Sequence, residues 1–254
     1  MKKTGLVLAA LSPLLFTPTL TSAQGPGGNV TQIFVNKVKP GAGAQYEAAR
    51  KRHMEWHKKK SDTWEWFTWE VITGEGAGQF IVGSFGHAFK DFDGRDAFEA
   101  EDGADAAMNM GPFLDATVQS LYLYRPDLSM PTGAQSPAKF SQVTHFYLKP
   151  EGVNDFSDGI KKVNEAAKKT SYPIHPLWYQ LFNGGEGPEY VLVSGRDSWA
   201  EFQPPDKSLD AMVEEALGKP QGAAVLSGLR KAIRYTRSEA LRYRPELSYL
   251  PGGQ

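Results

Sequence analysis

The sequence predicts an α+β fold built from two tandem βαββαβ units, and three observations carry that expectation. The chain matches itself at fixed offsets, each copy repeats one order of extended and helical runs, and 254 residues at 41% hydrophobic and 22% charged is ordinary globular composition. At an offset of 110, Gln32 aligns with Gln142, Lys39-Pro40 with Lys149-Pro150, Glu55 with Glu165, Lys58-Lys59 with Lys168-Lys169, Gly74 with Gly184, Ser84 with Ser194 and Phe92 with Phe202. At 119, Tyr124-Arg125-Pro126-Asp127-Leu128-Ser129 aligns with Tyr243-Arg244-Pro245-Glu246-Leu247-Ser248, so the second copy carries about nine extra residues in its later half. The copies span 30–129 and 138–250, joined where Pro, Gly and Ser cluster near 130–137.

The elements follow from local pattern. Residues 33–38 alternate as a strand, Lys39-Pro40-Gly41 turns the chain, and 44–60 is rich in helix formers without a breaker. Residues 64–72 are aromatic and β-branched, 74–78 form a glycine-rich turn, and 79–85 are extended again, which makes a hairpin. Residues 96–120 read as largely helical with an interruption at Gly111-Pro112, followed by a short last strand at 121–124. The second copy supplies strands at 143–148, 177–182 and 190–194, helices at 155–170, 208–217 and 223–235, and a final strand near Leu241. The resulting order is the ferredoxin-like split βαβ.

Before the first copy, Lys2 and Lys3 precede an apolar stretch at 6–16, and Thr21-Ser22-Ala23 supplies the small residues of a signal-peptidase site, with cleavage expected before Gln24. A cleaved signal peptide at 1–23 implies a periplasmic or secreted protein, and with no cysteine there is no lipid-modified N-terminus. The missing cysteines also exclude disulfides, thiolate metal sites and a cysteine nucleophile. Basic and acidic residues nearly balance at 28 to 29, which leaves no electrostatic footprint for nucleic acid. No segment approaches the roughly 20 apolar residues of a membrane span.

The opening Val38-Lys39-Pro40-Gly41, the Trp69-Glu70-Val71 strand running into Gly74, and Gly83-Ser84-Phe85-Gly86-His87 leading to Phe92 carry a resemblance. On these features the chain resembles the dimeric α+β barrel superfamily, which includes the antibiotic-biosynthesis monooxygenase, stress-responsive barrel, NIPSNAP-like and haem-degrading families. The resemblance implies that two sheets face one another to close a barrel, here within one polypeptide, as in chlorite-dismutase-like proteins. It implies no particular function.

A duplicated chain is its own control, because equivalent positions should be equally buried. On the first helix Tyr46, Arg50, His53 and His57 form a stripe whose counterparts are Phe156, Ile160, Val163 and Ala167, with Trp56 opposite Ala166. Asn36 likewise stands opposite Phe146. On the second strand, Phe67, Trp69 and Val71 are expected to pack under the helices, while Trp66, Thr68 and Glu70 line the space between the sheets. Asn36, Arg50, His53, Trp56, His57 and Trp69 are therefore the candidate ligand-binding residues, around an aromatic pocket in the first copy. The alternative is a helix rotated so that its histidines sit half exposed at the margin.

His53 and His57 have the spacing that lets two imidazoles reach one metal, but Glu55 is off their face and no third ligand is fixed; His87 and Asp91 are the nearest candidates, and no metal site is assigned. No cofactor is required by the sequence. Haem is admitted only through the resemblance, since haem-degrading barrels line their pockets with a helix histidine, an asparagine and a tryptophan; His145 and His175 are the histidines of the second copy. Arg230, Arg234 and Arg237 fall at helical spacing and read as a solvated, acid-paired face rather than an anion site. The expected function is binding of a small apolar or aromatic molecule by an exported barrel that could form homo-oligomers. The alternatives are a cofactor-independent monooxygenase-like or haem-linked enzyme, and a structural or interaction module without catalysis. Replacing His53 and His57 by the second copy's residues, His53→Val with His57→Ala, is expected to preserve or raise stability in urea unfolding of the ligand-free protein, whereas a loss above about 2 kcal/mol would mark both as structural.

Overall fold

In the computed structural model, which describes residues 28–133 and 136–252, the two copies fold alike. The expected leader at 1–23 lies outside the described residues. The first unit comprises β1 (Val30–Val38), α1 (Gly43–Lys59), β2 (Phe67–Val71), β3 (Phe80–His87), a short α2 (Phe89–Asp93), α3 (Asp96–Asn109) and β4 (Leu114–Tyr124). The second comprises β5 (Phe140–Leu148), α4 (Val153–Thr170), β6 (Leu177–Asn183), β7 (Glu189–Arg196), α5 (Leu209–Leu217), α6 (Lys219–Ala232) and β8 (Ile233–Tyr243). Both long helices end on a serine in the left-handed region, Ser61 (φ 53°) and Ser171 (φ 51°), which turns the chain sharply back under the last helical turn.

The eight strands form one closed barrel in the order β1-β3-β2-β8-β5-β7-β6-β4, all antiparallel. The units join edge to edge, β2 on β8 and β4 on β6, which removes the exposed edges each four-stranded sheet would otherwise present. The repeated Arg-Pro-x-Leu-Ser segments clasp this seam crosswise. The carbonyl of Leu128, from the first unit, accepts from Asn164 on α4, while that of Leu247 accepts from Arg50 on α1; Ser129 and Ser248 accept from the backbone N–H groups of Trp178 and Thr68.

Two sequence expectations change here. Residues 114–120 are strand rather than helix: after a 3-10 turn at Gly111–Phe113, β4 runs its whole length beside β1, and that ladder overrides the helical pattern of 96–120. Likewise 233–235 belongs to β8, so Arg230 lies on a helix while Arg234 and Arg237 lie on a strand; they pair with Asp210, Glu186 and Glu75 respectively.

The strand-two faces are also reversed. Phe67, Trp69 and Val71 fill the barrel interior with Val143, Val191 and Leu241, while Trp66 and Thr68 lie beneath α1. Both faces of β2 are apolar enough to be buried, and closure gives the driest space to the face with no polar partner to reach.

One polar cluster plugs the interior. His145 Nδ1 meets Glu189 Oε1 at 2.6 Å, its Nε2 lies 3.8 Å from Glu239, and the Tyr122 hydroxyl donates to Glu189. Burial alone would lower the His145 pKa, but the two carboxylates raise it to about 9 from 6.5. A raised folded-state pKa means the stabilisation is complete below about pH 6.5 and lost as pH rises through about 9. Unfolding free energy measured from pH 6 to 10 is expected to fall across that window by on the order of 2 kcal/mol more in the native sequence than in His145→Gln.

Candidate functional site

The outer face of each half-barrel is covered by helices, and the two coverings differ. In the second unit Phe156, Ile160, Val163 and Ala167 of α4 pack with Val225, Leu226 and Leu229 of α6 into a continuous apolar core. In the first unit α1 and α3 leave a cavity of about 450 Å³ against β1 and β4. Carrying the 119 offset back through α3 shows why: Val225 and Leu226 correspond to Ala106 and Ala107, and Gln221 to Asp102. Small side chains replace large ones, and one polar residue becomes a carboxylate.

The α1 stripe points into this space. Arg50 and His53 are each 3% exposed and His57 is 1% exposed, so the margin position considered above does not occur. Asn36 is buried on the same wall, donating to the Tyr46 hydroxyl at 3.0 Å and accepting from Thr117 at 2.9 Å. Apolar lining comes from Phe34, Trp66, Val82, Met110 and Leu114. Trp56 does not line the cavity; it stacks behind His53 at 5.9 Å and touches Phe98. Trp69 lies inside the barrel, and the tryptophan that lines the cavity is Trp66.

The two imidazoles meet tip to tip. His53 Nε2 lies 3.2 Å from His57 Nε2, and Asp102 Oδ1 on α3 lies 3.2 Å from the first and 3.4 Å from the second. Each ring is oriented from behind: His53 Nδ1 meets Asp105 Oδ2 at 2.7 Å and His57 Nδ1 meets Asp62 Oδ2 at 2.9 Å. Asp62 sits directly after the left-handed Ser61, and this brings its carboxylate beneath the helix end. There it also accepts from Arg95, Trp66 Nε1 and the Trp64 N–H. Burial alone would raise the Asp62 carboxyl, yet the hydrogen bonds from His57, Arg95 and Trp66 hold it far below the usual carboxylate range. Burial lowers the pKa of His57 against the opposing pull of Asp62.

Arg50 donates to the Leu247 carbonyl at 3.2 Å and to Thr68 Oγ1 at 3.3 Å, and no carboxylate of the described residues pairs with it. Burial lowers its pKa, with Tyr46 and Asp102 pulling the other way. Gln32 Oε1, on another residue of the cavity wall, is buried without a hydrogen-bond partner. A fixed cation, an unsatisfied acceptor and two carboxylate-backed imidazoles can orient a polar group and exchange a proton with it.

Neither His87 nor Asp91 joins this cluster. His87 stacks on Trp64 at 3.6 Å and bonds Ser84, and burial holds its pKa down at about 4; Asp91 accepts from the Ala88 N–H. The third member is Asp102, on a helix that buries no residue fully and so carries no stripe to mark it in the sequence. Haem does not fit the donor set. An axial imidazole faces the porphyrin alone, whereas here each Nε2 is blocked by the other. In the second unit both His145 nitrogens face carboxylates, and His175 is an exposed loop residue.

No family model and no curated protein matches the sequence. Solved structures do match. A protein described as a monooxygenase from Fusobacterium nucleatum subsp. nucleatum superposes with a TM-score of 0.54 at 12% identity, over 91% of this chain and 98% of that one. An anthrone oxidase-like protein gives 0.52 at 13% identity over 88% and 93%. A mutant chlorite dismutase from Candidatus Nitrospira defluvii, in complex with cyanide, gives 0.52 at 8% identity over 87% and 92%. Strand order, helix placement and these superpositions agree: the chain has the dimeric α+β barrel fold, with both halves of the barrel in one polypeptide.

Proposed function

We propose that the first-unit cavity binds a small, largely apolar or aromatic molecule bearing an acidic group. The observation that carries this reading is Arg50, a guanidinium 3% exposed with no carboxylate partner among the described residues, at the wall of a 450 Å³ cavity with aromatic lining. A buried cation costs several kcal/mol unless an anion or a full set of hydrogen bonds compensates it, and a bound carboxylate or phenolate supplies that anion. The unsatisfied Gln32 Oε1 offers an acceptor to a hydroxyl or amide on the same molecule. The volume lies within the roughly 300–1,000 Å³ of small-molecule pockets.

Turnover is the second reading, favoured by the convergence of His53, His57 and Asp102 on the cavity wall. The monooxygenase and oxidase descriptions of the fold neighbours belong to those proteins, and at their level of identity support an oxygenase reading only weakly. Export to the periplasm or medium is part of the proposal and rests on the 1–23 segment alone. A purely structural role has the least support, because the second unit fills the same layer with apolar side chains where the first leaves a cavity.

Titration with 1-naphthoate, followed by tryptophan fluorescence and thermal shift, is expected to show saturable binding. Filling the cavity with the second unit's residues, Ala106→Val with Ala107→Leu, is expected to weaken binding at least about tenfold while leaving urea stability unchanged or higher by about 1 kcal/mol. Equal affinity in the native and filled proteins would sink the reading.

A further inference from the structure

Among the described residues, one group of side chains brings three metal-ligating atoms together: His53 Nε2, His57 Nε2 and Asp102 Oδ1. The proton positions follow from what stands behind each ring. An ionised carboxylate only accepts hydrogen bonds, so His53 Nδ1 against Asp105 and His57 Nδ1 against Asp62 both carry hydrogen. Each Nε2 then presents a lone pair to the other at 3.2 Å. Asp102 Oδ1 is buried and has no hydrogen-bond partner, although it lies 3.2 and 3.4 Å from the two nitrogens.

Three lone-pair atoms so close repel unless a cation lies among them. A single proton bridges one edge of the triangle and leaves the other two unsatisfied, whereas a metal ion satisfies all three. The spacing discriminates further. Tetrahedral bonds of about 2.0–2.1 Å place ligand atoms about 3.3 Å apart, while octahedral geometry at a similar bond length brings them to about 3.0 Å. The observed 3.2, 3.2 and 3.4 Å edges match the tetrahedral case. Asp105 and Asp62 stand where carboxylates orient metal-bound imidazoles.

We propose that His53, His57 and Asp102 bind one divalent transition-metal ion of the zinc type, with its fourth coordination position open to the cavity. The three ligand residues line that cavity, so the open position can take water or an oxygen of the bound molecule. Such an ion supplies a positive charge that polarises an oxygen ligand or lowers the pKa of bound water. The proposal goes beyond the cavity reading and stands on different atoms. The ligand set joins α1 to α3, which accounts for two imidazoles where the second unit has Val163 and Ala167.

The test uses the full chain after chelator treatment, titrated with Zn²⁺ by calorimetry and with Co²⁺ by visible absorption. The expected result is one ion per chain, a four-coordinate cobalt spectrum and a higher unfolding temperature. Asp102→Asn is expected to lower affinity more than about tenfold, and Asp105→Asn by about tenfold. Asp102 lies on α3, which buries no residue fully, so metal-free Asp102→Asn should unfold at the native temperature. No binding by the native chain, or native affinity retained in Asp102→Asn and His53→Gln, overturns the proposal. The Ala106→Val, Ala107→Leu protein separates the two readings, because it keeps every metal ligand: it should retain Zn²⁺ while losing naphthoate.

Discussion

Closure of the barrel is the constraint on which the rest of the molecule depends. Each copy makes a four-stranded sheet with two open edges, and both edges are satisfied by the other copy, β2 by β8 and β4 by β6. The interior is then packed with aromatic and branched side chains around Phe67, Trp69 and Leu241, sealed by the His145–Glu189 pair. The cavity of about 450 Å³ lies outside this packed interior, between helix and sheet, where each unit presents one such face.

These two faces have the same scaffold and opposite fillings. The second is an apolar layer extending from Phe156 to Leu229. The first holds Arg50, His53 and His57 at positions of plain core, and its α3 shows only small residues where α6 shows Val225 and Leu226. Every buried polar group in it has to find a partner, and most do: Asp62 gathers His57, Arg95 and Trp66, while Asn36 sits between Tyr46 and Thr117. Gln32 Oε1 and Asp102 Oδ1, on residues that line the cavity, do not, and neither does Arg95 Nε beside Asp62. Two unsatisfied acceptors on the wall of one cavity, in the copy that departs from an apolar layer, support the proposed site over drift between duplicates.

Arg50 belongs to both accounts. Its Nε holds the Leu247 carbonyl, which in the other copy Leu128 presents to Asn164. The guanidinium therefore clasps the seam with one side and faces the cavity with the other. A structural requirement keeps it in place, and the proposed ligand would use its charge, so the proposal couples stability and binding at a single side chain.

The duplication, the order of elements and the helical stripe were open to sequence reasoning because each rests on local periodicity or on a fixed offset, and the chain supplies its own comparison at 110 and 119. The faces of β2 were not, since Trp66 and Trp69 are equally apolar and alternation cannot say which side a closed barrel will enclose. Nor was Asp102: α3 has no buried face of its own to mark, and its approach to two imidazoles on α1 depends on how the helices sit over the sheet. Residues 114–120 became strand because β1 needed a neighbour, a non-local requirement that helical propensity does not record. The sequence by itself determined that one copy carries polar groups where the other is apolar. Only the tertiary structure decided that they converge, because convergence is set by packing between α1 and α3, a distance no spacing along the chain contains.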